Sequence, residues 1–234
     1  MKAGVILPAG GSGTRMGMDL PKQFQEVGGK PLFLYSLEVF HNLEEVGEIV
    51  LVLPNSFIEK YTWVSRDFKK VKITSGGGER WQSVEKGFNL LSHSEVVVVH
   101  DVARPFVEAE VIQKGIEKTK KGISHIVAVP ATNTIKRREG EKVIETLNRN
   151  QLIEVQTPQF FPLSVLKSVY QKIQESKIPQ ENLTDEAGMV ESLNLPVHWI
   201  LGKSKYRKIT QLEDMEWAEW MVERLEKEKS EGLA

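Results

Sequence analysis

Short apolar runs alternate with amphipathic stretches along most of this chain. The runs at residues 5–7, 49–53, 71–73, 96–99, 126–129 and 197–201 are brief and rich in β-branched side chains, which predicts strands buried on both faces. Between them, residues 32–40, 56–68, 80–91 and 108–120 have helical length and periodicity. Strands that alternate with helices predict an α/β fold, a mostly parallel sheet with helices on both faces. Toward the C-terminus, Leu212, Met215, Ala218, Val222 and Leu225 recur every three to four positions, and Thr210 with Glu213 spells a capping box for that helix. Beyond Leu225 the Lys/Glu-rich end reads as frayed.

One stretch interrupts the alternation. Residues 133–138 and 143–147 are short extended runs around the polar turn Glu139-Gly140-Glu141-Lys142, the pattern of a β-hairpin. So small an apolar surface is marginal on its own, and a protruding arm over about 132–150 is expected to embrace a second subunit. The whole chain, residues 1–234, is otherwise read as one domain.

Composition narrows the function. The 234 residues carry 31 Lys and Arg against 32 Asp and Glu, a net charge of −1, so no broad basic surface for nucleic acid is expected and any positive site is local. With no cysteine, disulfides, thiolate metal sites and cysteine nucleophiles are excluded together. No apolar run approaches the roughly 20 residues of a membrane span, and the N-terminal run is too short for a signal peptide, which gives the expectation of a soluble, cytoplasmic protein. The five histidines show no zinc-binding spacing and read as structural or surface groups, with His100 the one exception because it neighbours Asp101.

Chemistry is concentrated where strands end. The first strand runs into Pro8-Ala9-Gly10-Gly11-Ser12-Gly13-Thr14-Arg15, a glycine-rich loop whose bare backbone N–H groups suit phosphate oxygens. Its spacing matches neither the dinucleotide fingerprint nor the P-loop, and a tight turn needing small residues would also explain it. Arg15 and Lys22 lie just beyond the glycines. Isolated cations usually belong to solvated surface; beside such a loop they form a clamp for a triphosphate.

Seven motifs follow one another in order: Pro8 to Met16, Pro21-Lys22-Gln23, Gly76-Gly77-Gly78-Glu79-Arg80 with Ser83-Val84, His100-Asp101-Val102-Ala103-Arg104-Pro105, Thr157-Pro158-Gln159, Thr184-Asp185-Glu186-Ala187 and Lys208-Ile209-Thr210. Together they resemble the 2-C-methyl-D-erythritol 4-phosphate cytidylyltransferases, along essentially the whole chain. The resemblance implies a Rossmann-like nucleotidyltransferase fold, a homodimer joined by the arm, and transfer of a cytidylyl group from CTP to a small polyol phosphate with release of pyrophosphate. Ribitol-5-phosphate cytidylyltransferases share much of the pattern, and a catalytically silent nucleotide-binding module is the alternative of a different class.

By that resemblance Arg15, Lys22 and Lys208 are the catalytic cations around the α-phosphate. Pro8, Ala9, Gly10, Gly11 and Gly13, with Gly77, Gly78, Ser83, Asp101 and Val102, line the nucleotide site. Asp101, Arg104, Thr134, Arg149, Thr157 and Thr184 face the acceptor, Thr134 and Arg149 reaching the neighbouring subunit's site from the arm. Asp101 is also the expected Mg²⁺ ligand, since magnesium commonly combines one or two carboxylates with phosphates and water; alternatively it pairs with Arg104 to brace its loop. Thr184 suits an N-cap for a helix beginning at Asp185, and Thr134 suits a strand. Other members often carry Asp where this chain has Gly78, so that either a backbone carbonyl reads the cytosine amino group here or base selectivity is looser. The attacking phosphate monoester has a second pKa of about 6 and is mostly ionised at neutral pH, so no general base is required. Positioning and charge neutralisation are then the protein's main tasks.

Overall fold

A computed structural model describes residues 2–10, 20–175 and 184–231. Its strands are β1 (Lys2–Pro8), β2 (Glu26–Val27), β3 (Lys30–Pro31), β4 (Val46–Leu53), β5 (Val71–Ser75), β6 (Ser94–Val99), β7 (Ser124–Pro130), β8 (Lys136–Glu139), β9 (Lys142–Thr146), β10 (Ile153–Pro162) and β11 (Val197–Leu201). The α-helices are α1 (Leu32–Asn42), α2 (Thr62–Asp67), α3 (Arg80–Phe88), α4 (Ala109–Thr119), α5 (Leu163–Gln174), α6 (Glu186–Ser192) and α7 (Leu212–Ser230). Seven strands form one sheet in the order β11-β7-β10-β6-β1-β4-β5. The pairs β1–β4, β4–β5, β1–β6 and β7–β11 are parallel, and β10 alone runs antiparallel, between β6 and β7.

Side-chain alternation along the strands divides the core into two layers. Val5, Leu7, Ile49 and Leu51 face α1, α2 and α4 with Phe33, Phe40, Val64 and Ile112, whereas Ile6, Val50, Val52 and Val97 face α3, α5 and α6 with Val84, Leu166, Val169 and Met189. A third cluster, including Val27, Leu32, Phe106, Ile209, Ala218 and Val222, seats α7 on the small β2–β3 hairpin. Chain order reverses beside β1: β4 and β5 extend to one side, and β6 is laid down on the other. The carboxyl ends of β1 and β6 therefore border a topological switch point, the place where open α/β sheets bind ligands.

All six expected strands are present, but β5 and β11 stand at the two edges of the sheet and are partly exposed rather than buried on both faces. Within the expected helix at 56–68 only Thr62–Asp67 is α-helical; two 3-10 turns, Asn55–Phe57 and Glu59–Tyr61, precede it. There Phe57 and Tyr61 stack on Phe24, with ring centroids 4.2 and 5.1 Å away. Strand β10 breaks the apolar pattern with Gln156, Thr157 and Gln159, all buried, and with a register shift between Gln156 and Gln159. The cap of α7 is one residue later than expected: Asp214, not Glu213, accepts from the backbone N–H groups of Thr210 and Gln211 at 2.7 and 3.0 Å. The helix also continues through its charged end to Ser230, with an Arg224–Glu228 pair at 2.8 Å one turn apart.

The hairpin forms as β8 and β9, paired only with each other and exposed throughout. Gly140, at φ 54°, occupies the left-handed turn position that a Cβ would disfavour. No described helix is long and apolar enough to cross a membrane.

Candidate active site

The glycine loop leaves β1 beside β4, where Ala9 N–H donates to Val52 O at 2.8 Å. Gln23 reaches back from the Pro21-Lys22-Gln23 turn, and its amide donates to Ala9 O at 2.6 Å. That bond ties half-buried Lys22 to the start of the loop. Gly11, Gly13 and Arg15 lie outside the described residues. Across the cleft, Gly76 N–H bonds Leu53 O at the end of β4, and Ser83 in the first turn of α3 accepts from Gly77 N–H at 3.0 Å. A Cβ on Gly76 would stand 2.9 Å from the Ser83 hydroxyl oxygen and one on Gly10 3.5 Å from it. The two glycine segments thus converge on Ser83; at Gly76 a side chain would force the Ser83 hydroxyl to shift, whereas at Gly10 a Cβ would make ordinary contact. Gly77 and Gly78 are exposed at the rim.

Asp101 follows the end of β6, its loop held to β1 by the His100 N–H to Ile6 O bond at 3.0 Å. Its carboxylate is shared between two cations: Lys208 Nζ donates to Oδ2 at 2.7 Å, and Arg80 Nε and Nη2 approach Oδ1 at 3.4 and 3.3 Å. Burial favours the neutral acid, but Arg80 and Lys208 overcome it and hold Asp101 well below the usual carboxylate range. Arg80 Nη1 in turn spans both oxygens of Glu186 at 3.0 and 2.8 Å. Glu186 is fully buried and opens α6, whose N-cap Asp185 accepts from Gly188 N–H and from the Gln159 amide.

Beneath Asp101 the remaining polar groups form a closed relay. His100 Nε2 lies 3.1 Å from Arg104 O, Nδ1 lies 3.0 Å from Thr157 Oγ1, and Thr157 Oγ1 accepts from Asp101 N–H at 3.1 Å. A carbonyl only accepts, so Nε2 carries the proton and the Thr157 hydroxyl donates to Nδ1. Burial pushes His100 down to about 4, which keeps the ring neutral near pH 7. Arg104 does not pair with the Asp101 side chain; its guanidinium donates to Tyr206 O at 2.8 Å and Val155 O at 3.3 Å. It therefore clamps the segment that delivers Lys208. The same segment is fixed by Ile209 N–H to Ala103 O at 2.8 Å and by Glu108, which accepts from the Tyr206 hydroxyl at 2.5 Å and pairs with Lys203 and Lys205.

The expected site residues therefore fall into three groups. Pro8, Ala9, Gly10, Lys22, Gly77, Gly78 and Ser83 border the glycine cleft, and Asp101, Arg104 and Lys208 gather at the end of β6, with Val102 buried behind them. Thr157 lies under this group with its hydroxyl engaged rather than facing the cleft. Thr134 and Arg149 are exposed at the root of the arm, where Arg149 donates to Thr132 O at 3.0 Å. Thr184 is exposed and is not the cap of α6; Asp185 takes that role because its carboxylate reaches Gly188 N–H. Arg80 and Glu186 were legible only as members of motifs, and nothing in the sequence joined them to Asp101.

A switch point in a mostly parallel sheet, bordered by two glycine segments and a lysine-bridged carboxylate, marks an open α/β protein of the class that binds ligands at the carboxyl ends of its strands. Residues 3–224 match the family model for 2-C-methyl-D-erythritol 4-phosphate cytidylyltransferase. The chain is 38% identical over 222 residues to the enzyme of that name from Halalkalibacterium halodurans, covering 94% of this chain and 96% of the relative. It is 40% identical over 225 residues to that from Alkaliphilus metalliredigens, covering 92% and 90%. Among solved structures, the 4-diphosphocytidyl-2C-methyl-D-erythritol synthase of Anaerococcus prevotii superposes with a TM-score of 0.83 at 27% identity, covering 95% of this chain and 96% of the other. The 2-C-methyl-D-erythritol 4-phosphate cytidylyltransferase of Thermus thermophilus gives 0.79 at 27% identity, covering 95% and 100%. The chain belongs to the 2-C-methyl-D-erythritol 4-phosphate cytidylyltransferase family.

Proposed function

We infer that this protein transfers the cytidylyl group of CTP to 2-C-methyl-D-erythritol 4-phosphate, giving 4-diphosphocytidyl-2-C-methyl-D-erythritol and pyrophosphate in isoprenoid precursor synthesis. The observation that carries this reading, beside family membership, is the convergence of the glycine cleft and the Asp101–Lys208 pair on one switch point. An oxygen of the acceptor's phosphate monoester attacks the α-phosphorus, the α–β bridging bond breaks in line, and pyrophosphate leaves with the bonding electrons. The nucleophile is already an anion, so no residue has to remove a proton. Lys22 and Lys208, with Arg15, neutralise the charge on the transferring phosphoryl group, and the bare N–H groups of the two glycine segments hold the nucleotide.

Mg²⁺ is the proposed cofactor. Among the described residues no three acidic or histidine side chains cluster into a protein-only metal site. Asp101 alone suits an ion that takes most of its ligands from triphosphate and water; it would hold Mg²⁺, which when bound would supply charge neutralisation for the triphosphate. We also propose a homodimer through the β8–β9 arm, whose Val143 is 55% exposed. At the arm's root Val155 and Leu201 both align with Ala128, so with Trp199 they form an exposed apolar face beside the edge strand. A second subunit covering it would bring Thr134 and Arg149 into the shared site. The absence of cysteine suits a cytoplasmic setting.

The test is pyrophosphate release with CTP and Mg²⁺, comparing methylerythritol 4-phosphate and ribitol 5-phosphate at equal concentration. Preference for methylerythritol phosphate is expected; preference for ribitol phosphate keeps the mechanism and changes the pathway, and release with neither acceptor contradicts the assignment.

A further inference from the structure

Asp101 uses its two oxygens differently. Oδ2 is held by Lys208, a cation that is 38% exposed, while Oδ1 faces Arg80, whose guanidinium is pinned on its other side by Glu186. A triphosphate arriving at the glycine cleft competes for Lys208. Asp101, with a side chain only 12% exposed, then depends on a protein cation that stays in place to keep its orientation toward the site, whether or not Mg²⁺ also approaches it.

Arg80 cannot follow Lys208 toward the nucleotide without breaking the pair to Glu186, whose side chain has no exposure at all. Glu186 is itself immobilised from below. Asp185 Oδ1 caps α6 through Gly188 N–H at 2.9 Å, and Oδ2 takes the Gln159 amide of β10 at 2.7 Å. A chain of contacts thus runs from the central sheet through Asp185 and Glu186 to Arg80, and ends on the carboxylate beside the reaction centre.

We propose that Glu186 is a positioning residue, holding Arg80 on Asp101 Oδ1 so that Asp101 keeps its place when Lys208 leaves it for the nucleotide phosphates. This inference rests on the functional reading above and adds to it a counter-ion exchange: Lys208 is the cation that moves, Arg80 the cation that stays. Glu186 never touches substrate; its effect passes through Arg80.

A buried ion pair replaced by apolar side chains of similar volume often leaves stability unchanged or raised, and that separates positioning from mere structure. In the doubly substituted Arg80→Met, Glu186→Leu protein the melting temperature should stay within a few degrees of wild type. With CTP, methylerythritol 4-phosphate and Mg²⁺, kcat should fall about tenfold or more while the CTP KM moves less than about threefold, as expected when a reacting group is misplaced. Wild-type kcat in that folded variant would overturn the proposal. Glu186→Gln, which retains Arg80, provides the second arm: its crystal structure should show Arg80 more than about 4 Å from Asp101, beyond ion-pair range. Persistence of the Arg80–Asp101 contact in Glu186→Gln would equally overturn it. If wild-type protein releases no pyrophosphate with either acceptor, the functional reading fails, and the position of Arg80 in that crystal still decides this inference.

Discussion

Lys208 Nζ donates to Asp101 Oδ2 at 2.7 Å across 107 positions of chain, so the two groups that this account places nearest the reaction neutralise each other before nucleotide arrives. The pairing is enforced from outside the site. Arg104, Tyr206 and Glu108 fasten the segment 203–209 to the loop after β6, and Ile209 N–H closes it onto Ala103 O. Lys208 is thereby pre-placed within reach of the cleft, and the cost of ordering its backbone is met during folding rather than during turnover.

Lys22 is assigned to the transition state. Replacing it with Ala should lower kcat by about 10²–10³, the usual loss for one preorganised donor to developing charge, with a smaller rise in the CTP KM. Steady-state kinetics at saturating acceptor separates the two. An effect confined to the CTP KM would remove Lys22 from the catalytic set.

Gly78 offers a gain-of-function test. A Cβ there would meet nothing closer than Gln82 Oε1 at 3.4 Å, and the backbone is outside the left-handed region, so Gly78→Asp fits without strain. If a carboxylate at this position accepts from the cytosine amino group, the variant should bind CTP about fivefold more tightly, the value of roughly 1 kcal/mol for one hydrogen bond. The KM ratio of CTP to UTP measures it. An unchanged ratio would mean that backbone groups already perform the readout.

The arm and the sheet face at its root predict assembly. Trp199 and Leu201 are 47% and 63% exposed; changing both to Ser should leave the melting temperature of the monomer fold nearly unchanged, because exposed positions contribute little to it. Sedimentation should then shift from dimer to monomer. A wild-type protein that sediments as a monomer at micromolar concentration would contradict the shared-site arrangement.

At the opposite end of the sheet Glu48 predicts the acid response. Its carboxylate accepts from the backbone N–H groups of Ser92 and His93, from the Ser94 hydroxyl and from Lys72. Burial raises it, but these donors prevail and bring it to about 2. A depressed carboxyl stabilises the fold above its unfolded value, and that contribution is lost as pH falls from the ordinary range near 4.5 through about 2. Denaturant titration should find Glu48→Gln weaker than wild type by about 1–3 kcal/mol at pH 7, the full effect of the shift being reduced by solvent screening, with the gap closing on acidification. A pH-independent gap would assign the effect to packing instead.

Much of this was legible along the chain, for identifiable reasons. Strands β1, β4, β6 and β7 are hydrophobic runs that are largely buried, the edge strands β5 and β11 keep the apolar pattern although they are partly exposed, and Asp101 is conspicuous because a charge follows Val96 to Val99. The antiparallel β10 was not visible: it carries the buried Gln156, Thr157 and Gln159 that support the site, and buried polar groups erase the alternation that marks a strand. Glu186 was hidden for a related reason. At the start of a helix an acidic residue reads as dipole complement, and only the tertiary fold brings it to Arg80, 106 positions away. Thr157 was expected to face the acceptor, but its hydroxyl is taken by His100 and Asp101 N–H, a commitment that sequence order does not disclose.

If Lys208 leaves Asp101 to stabilise the transferring phosphoryl group, its loss must appear in kcat and the CTP KM for pyrophosphate release, measured with methylerythritol 4-phosphate and Mg²⁺ in wild type and Lys208→Gln side by side. In Lys208→Gln kcat should fall by about 10²–10³ while the CTP KM changes far less. Equal kcat in the two proteins would contradict it and return Lys208 to a bracing role beside Asp101.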